Sequence, residues 1–152
     1  MGGTTDSNGP KASNKTNKIS TNILNGDIQK IIEIAKAAGE EILEIYARDF
    51  EVYTKSDESP LTEADKNANQ VILDGLQKYY PEIPFISEEI KQLDYSERKD
   101  WDACWLIDPL DGTKEFIKKN GEFTVNIALI AGDIDAVDRI GIGIATVPGM
   151  RF

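Results

Sequence analysis

The chain has 152 residues, enough for a single domain with one core and too few for two. Its 17 basic and 27 acidic side chains leave a net charge of −10, which argues against nucleic-acid and anionic-membrane surfaces, because both need basic patches. With no histidine and a single cysteine, imidazole catalysis, histidine metal ligation and an intrachain disulfide are excluded, so carboxylates must carry the acid–base work.

Residues 1–26 are rich in Gly, Ser, Thr, Asn and Lys and are expected to form a disordered polar tail, whether a natural extension or an added segment. They lack the apolar centre of a signal peptide, and Asp6 stands where a myristoylation signal needs Ser or Thr. No apolar stretch reaches the length of a membrane span, and lone Cys104 inside an apolar run reads as a buried thiol in a reducing compartment. A cytoplasmic location is the expectation.

From Asp27, as cap, an amphipathic helix is expected, with Ile28, Ile31, Ile32, Ala35, Ala38, Ile42, Ile45 and Tyr46 on its apolar face and its acidic residues in solvent. Phe50–Thr54 reads as a strand. The polar Lys55–Ser59 loop either closes over a phosphate through Lys55 or is an ordinary surface loop. A second helix opens at Leu61-Thr62-Glu63-Ala64-Asp65 with Thr62 as N-cap and a stripe of Leu61, Ala64, Ala68, Val71, Ile72, Leu76 and Tyr79. Asp65 falls where a capping box places its carboxylate, so local sequence allows a structural and a functional role equally.

Pro84–Ser87 reads as a strand delivering Glu88 and Glu89, a pair that on its own is most simply a solvated charge run. After a charged connection, Lys91–Asp102, the apolar run Ala103–Ile107 is expected to be a buried strand ending at Asp108-Pro109. Pro109 and Gly112 then turn the chain so that Asp108 and Asp111 point to one side, a geometry suited to a hard divalent cation such as Mg²⁺. Thr113 either caps a short helix, Lys114–Lys118, or offers its hydroxyl to a water. Strands at Gly121–Ile130 and Arg139–Val147, with turns at Ala131–Asp135 and Pro148-Gly149, complete the pattern. The final strand's Gly–Ile alternation is expected to leave an apolar face and a sheet edge uncovered. The expected fold class is α+β, an antiparallel sheet layered with helices.

Three signals occur in one order: Ser-Pro-Leu-Thr-Glu-Ala-Asp65, Phe-Ile-Ser-Glu88-Glu89 and Trp-Leu-Ile-Asp108-Pro-Leu-Asp111-Gly-Thr113-Lys-Glu-Phe. Together they resemble the inositol-monophosphatase superfamily, and the longer run from Asp108 to Ile130 is most similar to its 3′(2′),5′-bisphosphate nucleotidase branch. The resemblance implies that Glu88, Asp108 and the Leu110 carbonyl hold one Mg²⁺ and that Asp108 and Asp111 hold a second. It assigns Asp65 and Thr113 to activating the attacking water and leaves Glu89 less defined. Phosphate contacts are expected from Gly112, Thr113 and Lys55.

The implied activity is lithium-sensitive hydrolysis of 3′-phosphoadenosine 5′-phosphate in sulfur assimilation, with inositol or a related sugar phosphate as the alternative substrate. Residues 27–152 would form the N-terminal, metal-binding half of a sugar-phosphatase-like domain whose C-terminal half, with a further metal-holding aspartate, is absent. An inactive fragment is therefore expected, either a non-catalytic metal binder or one partnered as a homodimer or with a complementing C-terminal half. Two look-alikes fail: a haloacid-dehalogenase-type phosphatase needs an aspartate where Pro109 stands, and an EF-hand needs acids or amides at Ile107 and Pro109.

Overall fold

The computed structural model describes residues 28–131 and 140–146, with side chains described through 131; the expected tail, the Asp27 cap and the turns at 132–135 and 148–149 lie outside these residues. In chain order the elements are α1 (Ile28–Tyr46), β1 (Val52–Thr54), β2 (Pro60–Thr62), α2 (Glu63–Tyr79), β3 (Phe85–Ser87), α3 (Tyr95–Arg98), β4 (Ala103–Asp111), α4 (Thr113–Ile117), β5 (Thr124–Ala131) and β6 (Ile140–Thr146). The sheet order is β3-β4-β5-β6, with β1 and β2 forming a separate antiparallel ribbon.

The α+β architecture is as expected, but the sheet is mixed rather than purely antiparallel. β3 runs parallel to β4, pairing Phe85 with Trp105 and Ser87 with Ile107, while β4–β5 and β5–β6 are antiparallel. A parallel pair needs a crossover, and the charged connection supplies it together with the one-turn helix α3.

Both long helices pack on one face of this sheet. On α1 the buried residues are Ile31, Ile34, Ala35, Ala38, Gly39, Ile42 and Ile45; Ile34 replaces the expected Ile32. The reason lies on α2, where Gly75 leaves room: a Cβ there would stand 2.7 Å from Ile34 Cγ1. The α2 stripe consists of Ala64, Ala68, Ile72, Leu73 and Leu76, interrupted by the polar Asp65 and Asn69. Tyr79, expected in it, is 42% exposed under Lys30 and Lys78, and Tyr80 meets buried Trp105 instead. Leu61 also leaves the helix, because its backbone pairs with Tyr53 in the ribbon.

β4 does not stop at Asp108 but continues through Pro109 to Asp111. Between the pairs Asp108–Asn126 and Asp111–Thr124 the register shifts: three steps on β4 oppose two on β5, which is a bulge of one residue. Proline is tolerated at a bulge because the ladder does not need its missing N–H. On the core face, Trp105, Ile107, Val125, Ile127 and Leu129 are buried, and each such side chain contributes about 1.5–3 kcal/mol by leaving water.

Candidate metal centre

Five segments supply the site. The first, α2, presents Asp65, which is fully buried and held by the capping box. Asp65 Oδ2 accepts hydrogen bonds from Thr62 N (2.8 Å) and Thr62 Oγ1 (2.6 Å), while Oδ1 accepts one from Thr113 Oγ1 at 2.8 Å. One oxygen of this carboxylate therefore caps the helix, and the other accepts from Thr113.

Thr113 is the first residue of α4, not its cap; the N-cap is Gly112, at φ +94°. Only glycine fits well there, since the conformation is left-handed and an added Cβ would stand 2.7 Å from the Glu122 carbonyl. Thr113 Oγ1 also lies 3.2 Å from the Leu110 carbonyl. Phe116 anchors α4 from below, packed against Tyr46, Phe50 and Phe123 with ring centroids 4.7–5.3 Å apart. Lys119, at φ +60°, donates to the Tyr46 carbonyl and ties the end of this segment to α1.

Glu88 and Glu89 follow β3, and Glu88 N donates to Ile107 O at 3.1 Å. Asp108 and Asp111 come from the bulged end of β4. A cleft of about 380 Å³ brings Glu88, Glu89, Asp108, Asp111 and Thr113 together with Lys55. The Lys55 loop is knit rather than loose: Lys55 N donates to Ser59 O at 2.8 Å, and Asp57 Oδ1 accepts from Ser59 N at 3.0 Å. Across the cleft, Lys55 Nζ pairs with Glu89 Oε1 at 3.1 Å.

The electrostatics are those of crowded acids. Burial pushes the Asp108 carboxyl up to about 6, and the neighbouring charges of Asp111, Glu88 and Glu89 add to the shift. Glu89 is also raised by burial, with Lys55 pulling in the opposite direction. Among the described residues, no three acidic side chains converge closely enough to enclose an ion as they stand. Glu88 and Asp111 are exposed, whereas Asp108 is half-buried. An all-oxygen donor set whose neighbouring charges raise the proton affinity of Asp108 fits a hard cation. Cys104, on β4, is buried as expected. No helix among the described residues is long and apolar enough to cross a membrane.

Several contacts at the site are not expected from the sequence. Glu89 engages Lys55, Asn126 Nδ2 lies 3.4 Å from Asp111 Oδ2, and Ser87 Oγ donates to Asn69 Oδ1 at 2.5 Å. The available signal was Asn69, a polar residue one helical turn after Asp65 on an otherwise apolar stripe.

Comparison with known proteins matches residues 25–137 to the inositol monophosphatase family. The chain is 50% identical over 105 residues to 3′(2′),5′-bisphosphate nucleotidase CysQ of Escherichia coli O157:H7, an alignment covering 68% of this chain and 42% of that protein. Against CysQ of Buchnera aphidicola the identity is 46% over 111 residues, covering 72% of this chain and 42% of the relative. Among solved structures, CysQ from Bacteroides thetaiotaomicron superposes with a TM-score of 0.63 at 42% identity, over 80% of this chain and 42% of that one. The extragenic suppressor protein suhB of Bartonella henselae gives a TM-score of 0.67 at 26% identity, over 80% of this chain and 45% of that one. The chain thus spans less than half the length of the curated relatives it matches. With the family match covering most of its length and the fold superposing on a solved member, the chain belongs to the inositol monophosphatase family.

Proposed function

We propose that this chain provides the metal-binding part of a Mg²⁺-dependent phosphomonoesterase that hydrolyses 3′-phosphoadenosine 5′-phosphate to AMP and phosphate. The observation that carries the reading is the 2.8 Å bond from Thr113 Oγ1 to buried Asp65, set beside a cluster of crowded carboxylates. Identity of 50% to a bisphosphate nucleotidase favours this substrate over inositol or other sugar phosphates.

Glu88, Asp108, Asp111 and the Leu110 carbonyl would hold the ions. Bound Mg²⁺ supplies acidity to a coordinated water and positive charge for the phosphoryl oxygens. The protein's own part starts at Thr113. Its hydroxyl hydrogen points to Asp65, which leaves a lone pair to accept a hydrogen bond from the attacking water. As the water oxygen bonds to phosphorus and the P–O ester bond breaks, the water proton passes through Thr113 to Asp65 Oδ1 and the departing ester oxygen takes a proton from solvent water. Asp65 Oδ2 stays fixed by its two bonds from Thr62, so the base does not turn. Gly112 and Thr113 would face the transferred phosphate, with Lys55 reaching it on leaving Glu89. A lone buried Cys104 suits a cytoplasmic setting.

Because the chain matches only 42% of the relatives' length, we assign residues 27–152 to the metal-binding half of the domain, beyond a polar tail. The remaining cleft would come from a C-terminal half or a second copy. The test is phosphate release by the 152-residue chain beside a chimera extended with the remaining segment of the Escherichia coli relative. Expected is turnover of 3′-phosphoadenosine 5′-phosphate by the chimera, preferred over inositol 1-phosphate in kcat/KM, inhibited by lithium and lost in Asp108→Asn. Preference for inositol 1-phosphate would overturn the substrate, and a chimera that binds Mg²⁺ but releases no phosphate would leave a non-catalytic metal binder.

A further inference from the structure

Among the described residues, the buried polar side chains are Thr62, Asp65, Asn69 and Ser87. The first two make the capping box, and the other two meet each other. Asn69 lies four residues after Asp65 and so on the same face of α2. Ser87 ends β3 immediately before Glu88. Its hydroxyl donates to Asn69 Oδ1 at 2.5 Å and accepts from Glu89 N at 3.3 Å.

That second bond falls on the peptide between Glu88 and Glu89. Holding a peptide plane limits ψ of the residue before it, and with the Glu88 N–Ile107 O bond at 3.1 Å on the other side, both planes flanking Glu88 are fixed. β3 has only three residues, so its pairing with β4 alone gives the strand end little purchase. The hydroxyl of Ser87 thus links the helix that carries Asp65 to the backbone that aims Glu88. Glu89, turned to Lys55, is drawn out of the donor set.

We infer that Asn69 and Ser87 are positioning residues that set Glu88 against Asp65 and so govern how tightly the cleft takes its cation. The inference rests on the metal-binding reading above. Removing one partner of a buried pair leaves the other unsatisfied and lowers stability as well. The positioning role is therefore read in the Mg²⁺ affinity of the folded variants, apart from any loss of thermal stability.

The experiment is Mg²⁺ calorimetry on the full 152-residue chain and its variants, with thermal unfolding alongside. Ser87→Ala should weaken Mg²⁺ by roughly tenfold, the lower end of the range for removing an outer support of a ligand. Ser87→Thr, which keeps the hydroxyl, should restore it. Asn69→Ala breaks the same bond from the helix side and serves if Ser87→Ala does not fold. In a Glu88→Gln background, Ser87→Ala should cost nothing further, a non-additivity that general loosening would not produce. Equal affinity of Ser87→Ala and parent would overturn the positioning role alone. So would an undiminished effect in the Glu88→Gln background. A parent chain that binds no Mg²⁺ would overturn the metal reading and this inference with it.

Discussion

Asp65, behind the wall of the cleft, and Asp108, within it, are carboxylates on adjoining elements with opposite circumstances. Asp65 is fully buried yet receives three hydrogen bonds, from Thr62 N, Thr62 Oγ1 and Thr113 Oγ1. Asp108 is only half-buried but faces Asp111, Glu88 and Glu89, and its proton affinity is pushed up to about 6. One carboxylate is satisfied by the fold; the other stands among like charges that a backbone hydrogen bond from Leu110 offsets only in part. The difference teaches that burial alone does not mark a ligand. What marks it is charge the protein itself does not offset.

The comparison breaks most completely if the crowded side is neutralised. Asp108→Asn with Asp111→Asn should abolish Mg²⁺ binding in calorimetry, a loss beyond the roughly 100-fold that marks removal of outer supports. A folded double variant that binds like the parent would dismiss the site. On the satisfied side, Asp65→Asn and Thr113→Ala should lower kcat of the extended chimera by about 10²–10⁴, the range for general-base loss, with KM little changed. Steady-state kinetics showing the reverse split would deny them the water-activating role.

A milder perturbation is pH. Metal must displace the Asp108 proton, so with a pKa of about 6 the Mg²⁺ affinity should fall about tenfold between pH of about 7 and about 5. Stability of the metal-free chain should move the other way. Its folded pKa lies above the unfolded value, so the contribution from Asp108 is present below the unfolded value near 3.8 and is lost as pH rises through about 6. Thermal melts at stepped pH in chelator, with Asp108→Asn as reference, would check the sign. The smallest effect belongs to Arg48→Ala, away from the cleft. Its exposed ion pair with Glu63, at 2.7 Å, should be dispensable for Mg²⁺ affinity measured in the same titration.

Much of this was legible because it is local. Thr62 as N-cap and the grouping of Asp108, Asp111 and Thr113 depend on residues only a few positions apart. What stayed hidden depends on distant partners. Leu61 reads as helical until Tyr53 is known to pair with it, and Ile34 reads as secondary until Gly75 is seen to admit it. The strand reads as ending at Pro109 because the bulge that tolerates proline is defined only by β5. The parallel setting of β3 follows from a crossover whose route composition does not specify. The Lys55 loop reads equally as a phosphate contact and as a surface loop, because its link to Glu89 joins residues 34 positions apart.

The bulge in β4 also bears on how this chain tolerates change. Side chains alternate along a strand, so residues separated by an odd number of steps face opposite sides of a regular sheet. Asp108 and Asp111 are three steps apart and still line one cleft, because the extra residue restores their parity. A one-residue insertion between them, with the bulge still absorbing a single residue, would turn one acid to the far side of the sheet while leaving every donor in the chain. Here the count of residues matters more than their identity: the Leu110 carbonyl lies 3.2 Å from Thr113 Oγ1, a contact that another side chain at that position would keep, whereas one residue more would part the two aspartates.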